Sequence, residues 1–217
     1  LEEVSSSSKS KEVGRMKNMI RILCMVALGS VVVVVNAGDA DAGKGKVALC
    51  VACHGETGNS LVGNFPNLGG QGEAYLLKQL KDIKDGTREI PTMSGMLDGS
   101  SQEDLADIAT FYSSQSRAYG AASADLVQLG ESIYRFGIPR KNIAACTACH
   151  MPTGSGNDPA KFPALSGQWP GYTVQQLKAF QSGARHNDGD GEMMRTTALD
   201  MNEQEMTAVA SYIYGLK

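Results

Sequence analysis

Apolar residues recur at helical spacing in two widely separated stretches of the chain, and the second repeats the first. Residues 75–84 and 172–181 both carry the i, i+3, i+4 pattern of an amphipathic helix, and each ends near a glycine, Gly86 or Gly183, that can close the last turn. A later pair of helices is predicted from its start signals. Ser101 is followed three residues on by Asp104, and Asn202 by Glu205, each the arrangement of a capping box. Beyond these caps, Leu105, Ile108, Ala109 and Phe111 correspond to Met206, Val209, Ala210 and Tyr212. Two further helices are expected over 42–49 and 126–136. Strand-like alternation is absent, so the pattern predicts an all-α protein.

The helices belong to a tandem duplication. Asn64-Phe-Pro-Asn-Leu-Gly-Gly-Gln71 returns as Lys161-Phe-Pro-Ala-Leu-Ser-Gly-Gln168, an offset of 97. From Phe65 to Arg88, 11 of 24 positions are identical to their counterparts, among them Tyr75/Tyr172, Gln79/Gln176 and Arg88/Arg185. A segment rich in Ser, Ala and Gly at 113–123 separates the copies. The expected domains are 38–114 and 124–217, joined by a linker at 115–123. They are small enough that a bound group would complete their cores.

The N-terminal region reads differently. Lys17 and Arg21 precede an apolar run of 14 residues at 22–35, and Val35-Asn36-Ala37 offers a small-residue cleavage site. Residues 16–37 are therefore expected to be a secretory signal peptide. The run falls short of the ~20 residues that span a bilayer. Cys24 lies within it, and Leu23 before it is too large for a lipoprotein site. Residues 1–15 precede a plausible start methionine and read as an upstream extension. Without 1–37 the formal balance changes from −3 to −5, with 15 basic and 20 acidic residues remaining. No basic footprint points to nucleic acid. Mild acidity favours a partner with some positive surface.

The candidate chemistry rests on four cysteines. Cys50-Val-Ala-Cys53-His54 and Cys146-Thr-Ala-Cys149-His150 are C-x-x-C-H motifs, the attachment signature of haem c. Two thiols add to the vinyl groups of one haem, and the adjacent imidazole becomes the proximal iron ligand. A redox dithiol leaves the repeated histidine unexplained, and structural zinc suits an exported protein poorly. The proximal histidines need a carbonyl or carboxylate for the second ring nitrogen. Pro66 and Pro163 are placed to supply it. Arg88 and Arg185 are candidates to pair with haem propionates, with a solvated charge as the alternative.

The distal ligands are less direct. Only His186 remains among the histidines, in a polar loop at 186–191, whereas seven methionines are available after residue 37. The last helices align at an offset of 101, and at that register Met93 meets Met194 while Met96 meets Thr197 and Met193 meets Thr92. Met93 and Met194 are the expected ligands, Met193 being the rival of the second. Two closed six-coordinate irons favour electron transfer over peroxide chemistry.

These motifs, with CVACHGETGNS, NFPNLGGQGEAYLLKQLKDIKDG, TMSGML and the degenerate ACTACH, KFPALSGQ and GEMM of the second copy, resemble the cytochrome c4 family along the whole chain after the leader. The resemblance implies two class I cytochrome c folds related by a pseudo-twofold axis. Two covalent haem c groups would then be held by Cys50, Cys53, Cys146 and Cys149, with His54, Met93, His150 and Met194 as axial ligands. It implies a periplasmic, non-enzymatic carrier between a redox donor and acceptor, in the direction of a membrane-bound terminal oxidase, with loose membrane association in some members. The competing readings are a di-haem peroxidase and a cytochrome subunit of a larger oxidoreductase.

Overall fold

The computed structural model describes residues 38–217, and the signal peptide expected at 16–37, with the extension at 1–15, lies outside the described residues. The first half contains α1 (Ala40–Lys46), α2 (Ala48–His54), α3 (Glu73–Lys84) and α4 (Gln102–Ser113), with a 3₁₀ turn at Pro91–Met93. The second contains α5 (Val127–Phe136), α6 (Thr147–His150), α7 (Pro170–Gln181), α8 (Met193–Ala198) and α9 (Glu203–Gly215), with a 3₁₀ turn at Pro139–Lys141. Among the described residues there is no strand, only two isolated bridges, Ile138 with Ile143 and Asn157 with Phe162. The fold is all-α, as expected.

Each half crosses its first helix over its last, α1 on α4 and α5 on α9, with α3 and α7 packed against the same last helices. A glycine permits each crossing. A Cβ on Gly43 would lie 2.1 Å from the Asp107 carbonyl oxygen, and one on Gly130 would lie 2.2 Å from that of Ala208. Asp107 and Ala208 are equivalent at the offset of 101, so both halves use the same contact between helix backbones.

The predicted caps form in full. Ser101 accepts from the Asp104 amide at 3.0 Å while its own amide donates to the Asp104 carboxylate at 2.7 Å. Asn202 and Glu205 repeat this at 2.9 and 2.8 Å. The helix expected over 42–49 is instead two helices. Val47, buried and with φ −93° and ψ 7°, breaks the run, so that the Cys50 motif lies on a separate helix.

Two apolar cores result. The first gathers Val47, Leu76, Ile108, Ala109, Phe111 and Tyr112, with Cys50 and Leu68 against it. The second is larger and includes Ile133, Tyr134, Leu177, Phe180, Met206, Val209 and Ile213, with Cys146 and Met194 against it. Ion pairs tie the helices outside these cores. Lys46 reaches Asp104 at 2.6 Å and Asp107 at 2.5 Å, joining α1 to α4. Lys141 reaches Glu205 at 2.8 Å, joining the second 3₁₀ turn to α9.

The halves meet by exchange. The Gln168 side chain accepts from the Asn67 amide at 2.9 Å and donates to the Asn67 carbonyl at 3.0 Å. Gln71 does the same to Ala164, at 2.6 and 2.9 Å. Gln71 is the counterpart of Gln168, and Asn67 that of Ala164. Residue i meeting j while j′ meets i′ is the relation a twofold axis imposes. The connecting segment is bound to both sides. Arg117 donates to the Gly70 carbonyl and to Ser166, and the Gly120 amide donates to the Tyr214 carbonyl.

Two outcomes are expected. Gly130→Ala forces α5 off α9 and costs about 1–3 kcal/mol, read as a lower denaturant midpoint of the holoprotein. The second concerns pH. Burial raises the Glu205 carboxyl, but the Lys141 ammonium and the Asn202 amide outweigh it and hold it below its usual value. A depressed carboxyl contributes stability above its unfolded pKa of about 4.3 and loses it as pH falls through the folded value. The thermal midpoint of Glu205→Gln therefore differs from that of the parent near pH 7, and the gap closes on acidification.

Candidate functional site

In both halves the cofactor motif sits at the end of a short helix. Cys50 and Cys53 are three residues apart on α2, and His54 is its last residue. The i, i+3 spacing sets both thiols on one face, and His54 lies one turn beyond Cys50 on the same side. Cys149 and His150 lie on α6, with Cys146 at its N-cap. All four cysteines of the two motifs are partly buried, with no disulfide among them. Burial pushes the Cys50 thiol up and that of Cys146 up to about 12. Reactive C-x-x-C dithiols carry a depressed thiol, the opposite direction.

Each histidine is oriented by one hydrogen bond. His54 Nδ1 lies 3.0 Å from the Pro66 carbonyl oxygen, and His150 Nδ1 lies 2.8 Å from that of Pro163. Both rings are buried, at 7% and 6% exposure, and burial lowers both below the ordinary histidine value. A neutral ring bonded to a carbonyl must carry its proton on Nδ1, which leaves the Nε2 lone pair for a metal. Phe65 and Phe162 stand beside these rings, each with its centroid 6.3 Å away. The residue after each histidine has a left-handed backbone. Gly55 adopts it freely at φ 77°. Met151 adopts it at φ 66°, and its carbonyl accepts a 2.8 Å bond from the Tyr134 hydroxyl.

The methionines separate by environment. Met93 closes the first 3₁₀ turn and is half-buried. Met194 is half-buried on α8 and packs against the second core, whereas the neighbouring Met193 is 46% exposed. Asp188 holds this segment. Its carboxylate accepts from the amides of Met194 and Arg195, at 3.1 and 2.9 Å, and from the Arg195 guanidinium at 2.7 Å. Met96 and Met151 are largely exposed, and Met201 and Met206 are core residues. His186 is exposed. Each half thus offers two thiols, one neutral imidazole and one half-buried thioether, the donor set of a covalently attached haem. In the first half Tyr112 is buried at Cys50, and its hydroxyl is the buried side-chain polar atom left without a protein partner among the described residues. The donor set suits haem better than zinc, for which no cluster of His, Cys, Asp and Glu is assembled among the described residues.

Sequence reasoning did not foresee how the two halves are joined. Gln71 and Gln168 are plain members of the repeat, and their reciprocal capture of each other's loops has no local signal. Nor did it foresee Asp188 as the support of the Met194 segment.

Known proteins place these features in one family. The cytochrome c family model matches residues 40–116 and again 140–217. The chain is 47% identical over 208 residues to cytochrome c4 of Azotobacter vinelandii, covering 92% of this chain and 99% of that one. It is 36% identical over 204 residues to the thiosulfate dehydrogenase electron acceptor of Thiomonas intermedia, covering 90% of each. The crystal structure of reduced recombinant cytochrome c4 from Pseudomonas stutzeri superposes with a TM-score of 0.82 at 49% identity, covering 83% of this chain and all of that one. The chain therefore belongs to the cytochrome c4 family of electron-transfer proteins, with two covalently bound haem c groups, one for each copy of the duplicated motif.

Proposed function

We propose that this protein is a periplasmic relay that takes single electrons from one redox protein and hands them to another, with a membrane-bound terminal oxidase as the final acceptor. Its two domains are 38–114 and 124–217, linked through 115–123. In this reading Cys50 and Cys53 anchor the first haem, between His54 and Met93. Cys146 and Cys149 anchor the second, between His150 and Met194. The observation that carries the reading is the matched pair of sites, each with an imidazole fixed through its proline carbonyl and a half-buried methionine at the equivalent register. Each haem supplies a one-electron Fe(III)/Fe(II) couple. The chain's own work is to exclude water and to set the two potentials. Thioether ligation raises a haem potential, and an iron held on both faces by side chains has no position for peroxide. Export by the 16–37 leader accords with thioether-bound haem outside the cytoplasm.

The likeness to a thiosulfate dehydrogenase electron acceptor supports a second reading on the donor side, in which a dehydrogenase delivers the electrons and this chain serves it as a dissociable or bound cytochrome. Co-purification with a catalytic subunit separates this from a freely diffusing carrier.

Ligation is tested by substitution. Met93→Ala lowers the potential of one haem by about a decade or more in its reduction equilibrium, roughly 59 mV per decade for one electron, and leaves the other nearly in place. Met194→Ala affects the other haem, and Met193→Ala affects neither. Spectroelectrochemical titration checks this, with the sulfur-to-iron charge-transfer band of the oxidised protein as the second readout. Equal shifts of both potentials in Met93→Ala would sink the assignment.

A further inference from the structure

The carbonyl that orients each imidazole belongs to a peptide group whose N–H is held by the opposite half. His150 Nδ1 lies 2.8 Å from the Pro163 carbonyl oxygen, and the N–H of that same peptide, on Ala164, donates to Gln71 Oε1 at 2.6 Å. His54 Nδ1 lies 3.0 Å from the Pro66 carbonyl oxygen, and the Asn67 amide of that peptide donates to Gln168 Oε1 at 2.9 Å. Each glutamine closes a second bond through Nε2, Gln71 to the Ala164 carbonyl at 2.9 Å and Gln168 to the Asn67 carbonyl at 3.0 Å. The glutamines are 7% and 9% exposed, and Asn67 and Ala164 are buried with them, so these bonds are shielded from water. Among the described residues no hydrogen bond joins either glutamine to the corresponding peptide of its own half.

A peptide that accepts at its oxygen and donates at its nitrogen is a polarisable link. The Gln71 carbonyl draws on the Ala164 N–H, which shifts amide electron density onto the Pro163 oxygen and makes it a stronger acceptor. Bonds in such a chain strengthen one another by about 10–30%. A stronger acceptor at Nδ1 gives the imidazole more anionic character and raises its basicity at Nε2, which favours a ferric over a ferrous iron. The two chains are unequal. Toward His150 the bonds measure 2.8 and 2.6 Å, and toward His54 3.0 and 2.9 Å. Both links shortening together is the pattern that mutual strengthening gives.

We propose that Gln71 and Gln168 are crossed positioning residues of the electron-transfer centres. Gln71, in the first half, sets the reduction equilibrium of the second haem, and Gln168, in the second half, sets that of the first. The proposal rests on the reading of His54 and His150 as the imidazole ligands of the two irons; the distal side chains do not enter it.

The test uses the haem-loaded full chain, with the two potentials resolved by spectroelectrochemical titration. Gln71→Met keeps the length of the side chain and removes both bonds to Ala164. It moves the second haem about twofold to fivefold toward ferrous in its reduction equilibrium and leaves the first in place. Gln168→Met does the reverse, by less, since its chain is the longer one. The haem that responds to Met93→Ala marks the first half, and the one that responds to Met194→Ala the second. A further readout needs neither methionine. In the diamagnetic ferrous protein with isotope-labelled histidine, the Nδ1 proton of His150 moves upfield in Gln71→Met, and that of His54 stays. Gln71→Asn, which keeps an amide but draws it back by one methylene, gives the same crossed shift if the methionine variant loads haem poorly. Equal movement of both potentials, movement of the mutated half's own haem alone, or unchanged potentials with a lowered unfolding midpoint would each overturn the proposal, because the glutamines would then only hold the halves together. Failure of the imidazole reading is seen separately, in the parent protein: ring carbon protons of His54 and His150 without a haem ring-current shift would remove that reading, and the proposal with it, before any variant is made.

Discussion

An imidazole whose Nδ1 is committed to a backbone carbonyl has one lone pair left and one direction in which to present it. His54 and His150 are both fixed this way, and much of each half follows from the need to hold that carbonyl still. The Phe-Pro loop supplying it must be pinned at its other end. In this molecule it is pinned across the seam: Asn67 follows Pro66 and Ala164 follows Pro163, and their backbones are the groups that Gln168 and Gln71 capture. The orientation of each buried imidazole is thus supported by a glutamine of the other half. Outer partners of this kind tune a metal through the imidazole that binds it.

The halves share this plan but not their margins. The second core gathers more large apolar side chains, among them Phe180, Met206, Val209 and Leu216. The first is thinner, with a tyrosine hydroxyl left without a protein partner. A small domain with few buried side chains depends more on the apolar surface of its cofactor. Asymmetry also enters at the seam. Asn187 bonds Gln79 and Asp82, while its counterpart at the offset of 97 is Ile90, and the counterpart of Asp82 is Ala179. Sites alike in their donors are thereby set in unlike fields.

Most of this was legible in the residues because duplication let one half interpret the other. Register alone proposed Met93 and Met194, which the fold leaves half-buried, and the capping boxes at Ser101 and Asn202 marked the last helices correctly. What escaped notice was either too local or too distant for pattern reading. The break at Val47 interrupts a run whose apolar spacing continues across it. The six residues of α8 are too few to show a period. Nothing in the pattern at Gly43 and Gly130 signals the backbones they admit. In sequence, Arg88 and Arg185 are candidates to pair with haem propionates, with a solvated charge as the alternative. Only the folded chain shows them buried, because what buries each is the other copy.

The exchange of equivalent residues has an implication for descent. A contact in which two copies give and receive the same groups is what separate, identical subunits make when they pair. The seam retains the form of a homodimer interface, now enclosed in one polypeptide by the segment that Arg117 and Gly120 tie down. Tethering replaces a dissociation constant with an effective concentration on the order of millimolar, and an interface so protected no longer has to be strong enough to bring free partners together. Its two sides then become free to diverge, which is how one ancestral site can give rise to two that differ.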